Sequence, residues 1–253
     1  MDHHGNRRPA ADGRLIERIS LVGSTNAALM ARLAASETVA EGHWLVTDRQ
    51  SDGRGRRGRE WFDGIGNFMG STVVHARAGD PPLASLALVA GLAVHEVVSA
   101  LVPPPRAALL KWPNDILIGA AKLSGILLES KGDAVVIGIG VNLAAAPDLA
   151  DRTAIALTAF GPAPDRDHFA DQLAAAFALD LDRWRTYGLA PIVRRWCAAA
   201  HPVGTVLSVG EPGEVLLQGA FAGLDDTGGL ILALPDGTTR TIHAGEVRLG
   251  ADD

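Results

Sequence analysis

Apolar positions along the chain switch between two periods. In one stretch they recur at three and four: Leu83, Leu86, Ala87, Ala90, Val94, Val97, Val98 and Leu101. That spacing lays an apolar stripe along one face of a helix. Pro81-Pro82 opens the stretch and Pro103-Pro104-Pro105 stops it, because proline lacks the N–H a helix interior needs. Residues 15–21 alternate instead, as a strand does when it buries one face. Ser24-Thr25-Asn26 then precedes Ala27, Leu29, Met30 and Leu33, which predicts a helix capped by a short polar side chain. Further strands are predicted over 44–47, 67–75, 108–112, 122–129 and 134–141. Helices are predicted over 167–187 and 191–200, parted by Gly188.

The texture changes at His201-Pro202. Short strand-like runs over 205–209, 215–221, 230–234 and 238–243 are separated by turn signals: Pro212-Gly213, Asp225-Asp226-Thr227-Gly228-Gly229 and Pro235-Asp236-Gly237. This pattern predicts a small all-β barrel, too short to bury a large core alone and so docked on the larger unit. The expected organisation is α+β: a flexible tail over 1–14, a larger domain over 15–200 and a small C-terminal domain over 201–253.

Composition narrows the class. Apolar residues at 47% and charged residues at 21% fit a globular chain and exclude a disordered one. No apolar run is long enough to span a bilayer, and the first 14 residues lack the apolar centre of a signal peptide. The one cysteine, Cys197, excludes an intramolecular disulfide and a cysteine-based zinc finger. The cytoplasm is the simplest compartment. The net charge of −6 argues against a protein that coats nucleic acid.

The densest chemical signal is Gly53-Arg54-Gly55-Arg56-Arg57-Gly58-Arg59. Its first six residues match G-x-G-x-x-G, but the dinucleotide fingerprint needs an apolar helix directly after it, and Glu60-Trp61-Phe62-Asp63-Gly64 is no helix start. Glycines let backbone approach a ligand, and arginines supply permanent charged forks for carboxylates and phosphates. By spacing alone, a solvated basic turn, an RGG-like nucleic-acid segment and a loop closing over a small anion all remain open. A second signal joins Lys111-Trp112-Pro113-Asn114-Asp115 to Lys122-Leu123-Ser124-Gly125-Ile126-Leu127-Leu128-Glu129. Asn-Asp after Trp-Pro makes a turn with a lysine on either side. Two lysines aimed into one cleft would repel without an anion between them. The third, Gly138-Ile139-Gly140-Val141-Asn142, puts two glycines inside a strand, which marks tight packing or the close approach of a ligand. Other catalytic patterns fail. There is no G-x-x-x-x-G-K-[ST] and no G-x-S-x-G, and His95-Glu96 lacks the second histidine of a zinc-protease helix.

Taken in order, these motifs resemble the biotin protein ligases, over about residues 15–250. Ser24-Thr25-Asn26, Gln50 ahead of the Gly/Arg loop, Trp61, the Lys111 and Lys122 segments and the Gly138–Asn142 strand carry the likeness. Gly219, Asp225, Gly228-Gly229-Leu230 and Gly245-Glu246-Val247 resemble the family's SH3-like C-terminal domain. The resemblance implies a mixed sheet flanked by helices and a two-step reaction. Biotin's carboxylate attacks the α-phosphate of ATP, with Mg²⁺, to give biotinyl-AMP; a lysine of a biotin carboxyl carrier domain then takes the biotin. It assigns Ser24, Thr25, Asn26, Gln50, Arg54, Gly55, Arg56, Lys122 and Gly125 to biotin. To the nucleotide it assigns Arg54, Arg56, Arg57, Trp61, Lys111, Asn114, Asp115 and Asn142. Lys122, Arg56 and Lys111 would be catalytic, and Asp115 is a candidate for Mg²⁺ or ribose.

Asp52 departs from the family pattern, which usually has a small neutral residue there, and its carboxylate could pair with a loop arginine and alter loop closure. Asp48-Arg49 ahead of Gln50 is also unusual. About 14 residues precede the first predicted strand, too few for a winged helix-turn-helix, so no repressor role is expected. A lipoate-type ligase on the same fold, or a binding module without catalysis, are the competing readings.

Overall fold

The computed structural model describes residues 6–9, 15–149, 152–210 and 217–250. Eight strands form one sheet: β1 (Asn6–Pro9), β2 (Leu15–Val22), β3 (Trp44–Gln50), β4 (Phe68–His75), β5 (Ala108–Lys111), β6 (Asp115–Ile118), β7 (Ala121–Lys131) and β8 (Ala134–Val141). Their order across the sheet is β1-β2-β3-β4-β8-β7-β6-β5. Only β2 and β3 run parallel, because the connection between them is a crossover through the helix α1 (Thr25–Ala34). The remaining helices are α2 (Leu86–Ser99), α3 (Arg166–Tyr187) and α4 (Leu189–Ala199).

The two faces of the sheet bury different sets. Trp44, Phe68, Ile137, Ile139 and Val141 face α2 and α3 in the main core. Trp44 meets Phe177 edge-on at 5.7 Å between ring centres, and Phe68 lies 5.4 Å from Phe169. Truncating a fully buried aromatic of this kind costs about 3–5 kcal/mol. On the opposite face Leu45, Val73, Ala134 and Val136 pack beneath Leu29 of α1. Strand alternation continues that second face along β8 from Ala134 and Val136 to Gly138 and Gly140. There the side chains stop, and the sheet surface opens into a cleft.

Five more strands, β9 (Val206–Gly210), β10 (Leu217–Leu224), β11 (Leu230–Ala233), β12 (Thr239–Ile242) and β13 (Glu246–Leu249), form an antiparallel sheet in the order β12-β11-β10-β9-β13. This is the expected small C-terminal β-domain, and among the described residues no pairing of β12 with β13 closes it into a barrel. It shares the main core: Trp196 of α4 packs edge-on to Phe221 at 6.5 Å, and the Trp112 indole donates to the Gly228 carbonyl at 3.0 Å. Gly228 sits at φ +87°, with Leu88 so close that a Cβ would come within 3.0 Å of it. Glycine there allows both the turn and the docking.

Most predicted elements appear, but three differ. Residues 6–9, read as part of a mobile tail, pair antiparallel with β2. An open sheet edge offers unpaired N–H and C=O groups, and backbone pairing of this kind needs no apolar periodicity. Residues 115–118 form β6, where only a turn was read. The last strand, β13, was read as a motif and not as a strand. The turn at Pro212-Gly213 and the start of the strand expected at 215 lie outside the described residues.

Candidate active site

A cleft of about 380 Å³ opens where β8 and β7 lose their side chains at Gly138, Gly140 and Gly125, between α1, the Gly/Arg loop, the β5–β6 turn and β13. Every sequence-predicted site residue lines it: Ser24, Thr25, Asn26, Gln50, Arg54, Gly55, Arg56, Arg57, Trp61, Lys111, Asn114, Asp115, Lys122, Gly125 and Asn142. Seven cationic and four acidic side chains border it, so the cleft is a positive spot on an acidic protein. Such a concentration draws anions in.

One end is uncharged and polar. Ser24 caps α1, its Oγ accepting from the Ala27 N–H at 3.4 Å. This cap places Thr25 and Asn26, both buried, on the first turn over the sheet. The Gln50 amide oxygen accepts from the Thr25 backbone N–H at 2.8 Å and lies 3.1 Å from its hydroxyl. Ser71 of β4, fully buried, lies 2.7 Å from Thr25 Oγ1 and 2.6 Å from Asn26 Oδ1. The Asn26 amide nitrogen donates to Glu129 at 2.8 Å. A Cβ on Gly138 would sit 2.4 Å from Asn26 Oδ1, so only glycine admits this side chain.

The other end is charged. Hairpin pairing sets Lys111 opposite Asp115, and a bulge at Leu123 of β7 shifts the register so that Lys122 reaches the same carboxylate. Lys122 Nζ is 2.6 Å from Asp115 Oδ1, and Lys111 Nζ is 3.3 Å from Oδ2. Burial alone would raise the Asp115 carboxyl, but the two ammoniums outweigh it and hold it below the usual carboxylate range. Asp115 is thus the anion the lysine pair requires. Asn114 donates to the Ile126 carbonyl at 2.7 Å and accepts from Arg56 at 3.3 Å, tying the loop to β7. Asn142 donates to the Ile155 carbonyl at 3.2 Å, while its buried Oδ1 has no hydrogen-bond partner. Trp61 lies flat on the glycines: a Cβ on Gly140 would come within 2.2 Å of the indole, and Lys122 Nζ stands 5.7 Å from its ring centre.

The Gly/Arg loop forms a single tight turn over Arg56–Gly58, with Arg57 at φ 61°. Glu246 of β13 holds it, pairing with Arg59 and with Arg57 at 3.4 Å. Arg54, exposed, lines the cleft. Asp52 does not pair with a loop arginine: its carboxylate accepts from the Ser51 hydroxyl at 2.8 Å and lies against Gly23. The unusual Asp48-Arg49 step serves as two tethers, Asp48 to Arg166 of α3 and Arg49 to Asp63 at 2.6 Å.

Both Asp115 oxygens face ammonium groups and no group of three His, Cys, Asp or Glu comes together among the described residues, so these side chains do not form a Mg²⁺ cage by themselves, and a Mg²⁺ at Asp115 would need the triphosphate as its main source of ligands. Sequence reasoning missed Arg152 as a cleft residue and Ser71 as the buried hydroxyl behind Thr25 and Asn26, and did not single out Glu129 or Glu246 for a role. Ser71 and Glu129 sit inside unremarkable strand patterns, and only the pairing of β4, β8 and β7 shows that both face Asn26.

This combination, a polar pocket and a cationic cleft on one mixed sheet with a docked β-domain, matches known sequences over both parts. Residues 19–142 match the biotin/lipoate A/B protein ligase family, and residues 207–250 match the biotin protein ligase C-terminal domain. A biotin–[acetyl-CoA-carboxylase] ligase of Paracoccus denitrificans is 40% identical over 222 residues, covering 82% of this chain and 90% of that one. The Mycobacterium tuberculosis enzyme of the same name is 36% identical, covering 92% of this chain and 88% of its own length. The Aquifex aeolicus biotin protein ligase, solved with biotin and ATP, superposes with a TM-score of 0.80 at 27% identity, covering 94% of this chain and 99% of that one. The chain belongs to the biotin/lipoate protein ligase family and, within it, to the biotin protein ligases.

Proposed function

We propose that this protein joins biotin to ATP and passes the biotinyl group to a lysine of a biotin carboxyl carrier domain, such as that of acetyl-CoA carboxylase. One observation carries the reading: Arg54, Arg56, Lys111 and Lys122, from three separate segments, converge on one cleft whose far end holds a set of buried amides and hydroxyls. The names of the P. denitrificans and M. tuberculosis relatives support it.

The chemistry needs two anions in contact. In the first step a biotin carboxylate oxygen attacks the α-phosphorus, the bond to the β-phosphate breaks, and pyrophosphate leaves. Carboxylate and triphosphate repel, and Lys122, Lys111 and the loop arginines offset that repulsion and the charge that builds on the equatorial oxygens. Much of the remaining gain is positioning. Thr25, Asn26 and Gln50 pair the ureido ring and fix the valeryl tail toward Lys122. Trp61 on Gly140 and Asn142 with its vacant acceptor suit the nucleotide. A Mg²⁺ brought by the triphosphate would add to the charge these side chains offset. In the second step the uncharged acceptor amine attacks the carbonyl carbon of the mixed anhydride, AMP leaves, and the amine proton passes to solvent. The loop shields the anhydride from water until then.

Lipoate is the weaker substrate reading, because a dithiolane ring offers the amides and hydroxyls nothing to pair. No helix among the described residues is long and apolar enough to cross a membrane, and the supply of ATP and carboxylase favours the cytoplasm. Incubation with biotin, MgATP and a carrier domain, followed by intact mass, tests the reading. A carrier heavier by one biotinyl group supports it; pyrophosphate release with lipoate alone overturns it.

A further inference from the structure

The polar end of the cleft contains more order than ligand contact alone requires. Asn26, Thr25, Gln50 and Ser71 are all buried, and each could in principle turn its donors and acceptors several ways. The neighbouring groups remove that freedom. A carboxylate only accepts, so Glu129 at 2.8 Å obliges Asn26 to present its NH₂, which the Leu127 carbonyl at 3.5 Å also favours. The Asn26 oxygen then faces Ser71 at 2.6 Å. An amide oxygen cannot donate, so the single Ser71 proton must point to it. Ser71 Oγ is left as an acceptor toward Thr25, 2.7 Å away, and takes the Thr25 hydroxyl proton in preference to the Gln50 oxygen, which lies farther at 3.1 Å and already accepts the Thr25 backbone N–H. Gln50 is oriented independently, since its oxygen takes the Thr25 backbone N–H at 2.8 Å. Its NH₂ therefore points away from α1, toward Gly53, whose missing Cβ would lie 3.0 Å from it.

We propose that Glu129 and Ser71 are positioning residues for acid recognition: they polarise a relay, Thr25 to Ser71 to Asn26 to Glu129, that leaves Thr25 Oγ1 as an acceptor facing the cleft beside the Gln50 donor. This inference rests on the biotin reading above. An adjacent acceptor and donor complement a cyclic urea, which carries N–H beside C=O. An acid without such a ring gains nothing from the relay. Neither Glu129 nor Ser71 touches the ligand in this account; both act through Asn26 and Thr25. Thr25, Ser71 and Asn26 of the relay are buried and Glu129 closes it from the surface; buried hydrogen-bonded groups are strong when every member is satisfied and weaken together when one is removed.

The test is calorimetric titration of the full chain with biotin and, separately, with ATP, for the wild type, Glu129→Ala, Glu129→Gln and Ser71→Ala. Glu129→Ala is expected to weaken biotin about tenfold. It should raise the biotin KM in ATP–pyrophosphate exchange by the same factor, leaving ATP affinity and kcat at saturating biotin near the wild type. Ser71→Ala should do the same. Glu129→Gln should recover part of the loss, because its amide oxygen still accepts from Asn26. Wild-type biotin affinity in Glu129→Ala overturns the proposal. So does an equal loss of biotin and ATP affinity, which marks general loosening of the cleft. Should Ser71→Ala fail to fold, Glu129→Ala still decides, since Glu129 lies at an exposed position. A wild-type protein that binds no biotin overturns the functional reading itself, an outcome separate from selective failure of the variants.

Discussion

Arg59 of the Gly/Arg loop forms an ion pair with Glu246, the first residue of the last strand of the C-terminal sheet. Arg57 reaches the same carboxylate at 3.4 Å, and Arg56 donates to the neighbouring Gly245 carbonyl at 3.5 Å. The small domain therefore closes one wall of the cleft and holds the loop that covers it. The hydrogen bond from Arg59 keeps the Glu246 carboxyl below its usual range. Glu246→Ala should release the loop by about 0.5–1 kcal/mol, since the pair is partly exposed to solvent. Hydrogen exchange of the loop amides should then speed up several-fold. The lowered pKa sets the pH dependence: the clasp is complete above the ordinary carboxylate range and is lost as pH falls through the folded value. In the wild type, loop protection should drop on acidification; in Glu246→Ala it should be flat.

Arg56 stands between that domain and Asn114, with one guanidinium nitrogen 3.3 Å from the Asn114 side chain. A charged fork in this position can hold both the adenylate phosphate and the wall of the cleft. Arg56→Gly removes both and adds backbone freedom. The intermediate should leave the protein about tenfold faster or more and acylate lysines of bystander proteins. Biotin labelling of serum albumin in a mixed assay would report this. Labelling no higher than in the wild type would remove Arg56 from retention of the intermediate.

Much of this site is readable from residue order alone, and the reason is local. Lys111 to Asp115 is one tight turn, and Gly53 to Arg59 is one loop, so sequence neighbours remain spatial neighbours. The convergence of the loop with Lys111 and Lys122 followed from the family resemblance, and the cleft brings all of them together. What sequence could not supply is register. Ser71, Glu129 and Gly138 come from three strands and meet at Asn26 only because β4, β8 and β7 pair as they do. The partners of Asp115 were out of reach for a related reason: the resemblance offered it to Mg²⁺ or ribose, and only the bulge at Leu123 brings Lys122 onto it. Asp52 could have reached a loop arginine as far as sequence tells, and the structure gives its carboxylate to the Ser51 hydroxyl.

The Lys122–Asp115–Lys111 cluster yields two opposed variants. Lys122→Ala removes the ammonium 2.6 Å from Asp115 and should cut adenylate formation by roughly a hundredfold or more, with the fold retained. Near-normal ATP–pyrophosphate exchange would exclude Lys122 from the mechanism. Asp115→Asn leaves two ammoniums facing each other without an anion. Because the wild-type Asp115 carboxyl is held low by the lysines against the effect of burial, it stabilises the fold above the ordinary carboxylate range, and that contribution vanishes as pH falls through the folded value. Thermal melts from neutral to acid pH should therefore fall less steeply in Asp115→Asn than in the wild type. Added pyrophosphate should recover part of the variant's neutral-pH loss by restoring an anion between the lysines.

Gly140 tests the nucleotide side of the cleft. The Trp61 indole rests on it so closely that a Cβ would lie 2.2 Å from the nearest ring carbon, and Gly125 leaves only 2.9 Å on the other flank. Trp61 belongs to the loop segment and is partly exposed, so Gly140→Ala should move the ring and leave the sheet intact. If the ring helps seat the nucleotide, the ATP KM should rise about tenfold, the size of a lost aromatic contact of about 1–1.5 kcal/mol. Biotin affinity should hold, because Asn26 packs on Gly138 whereas Trp61 packs on Gly140. Trp61→Ala should raise the ATP KM by itself and make Gly140→Ala nearly silent when the two are combined, since the clash has then been removed. Additive losses in the double variant would show that Gly140 acts through the strand and not through the indole.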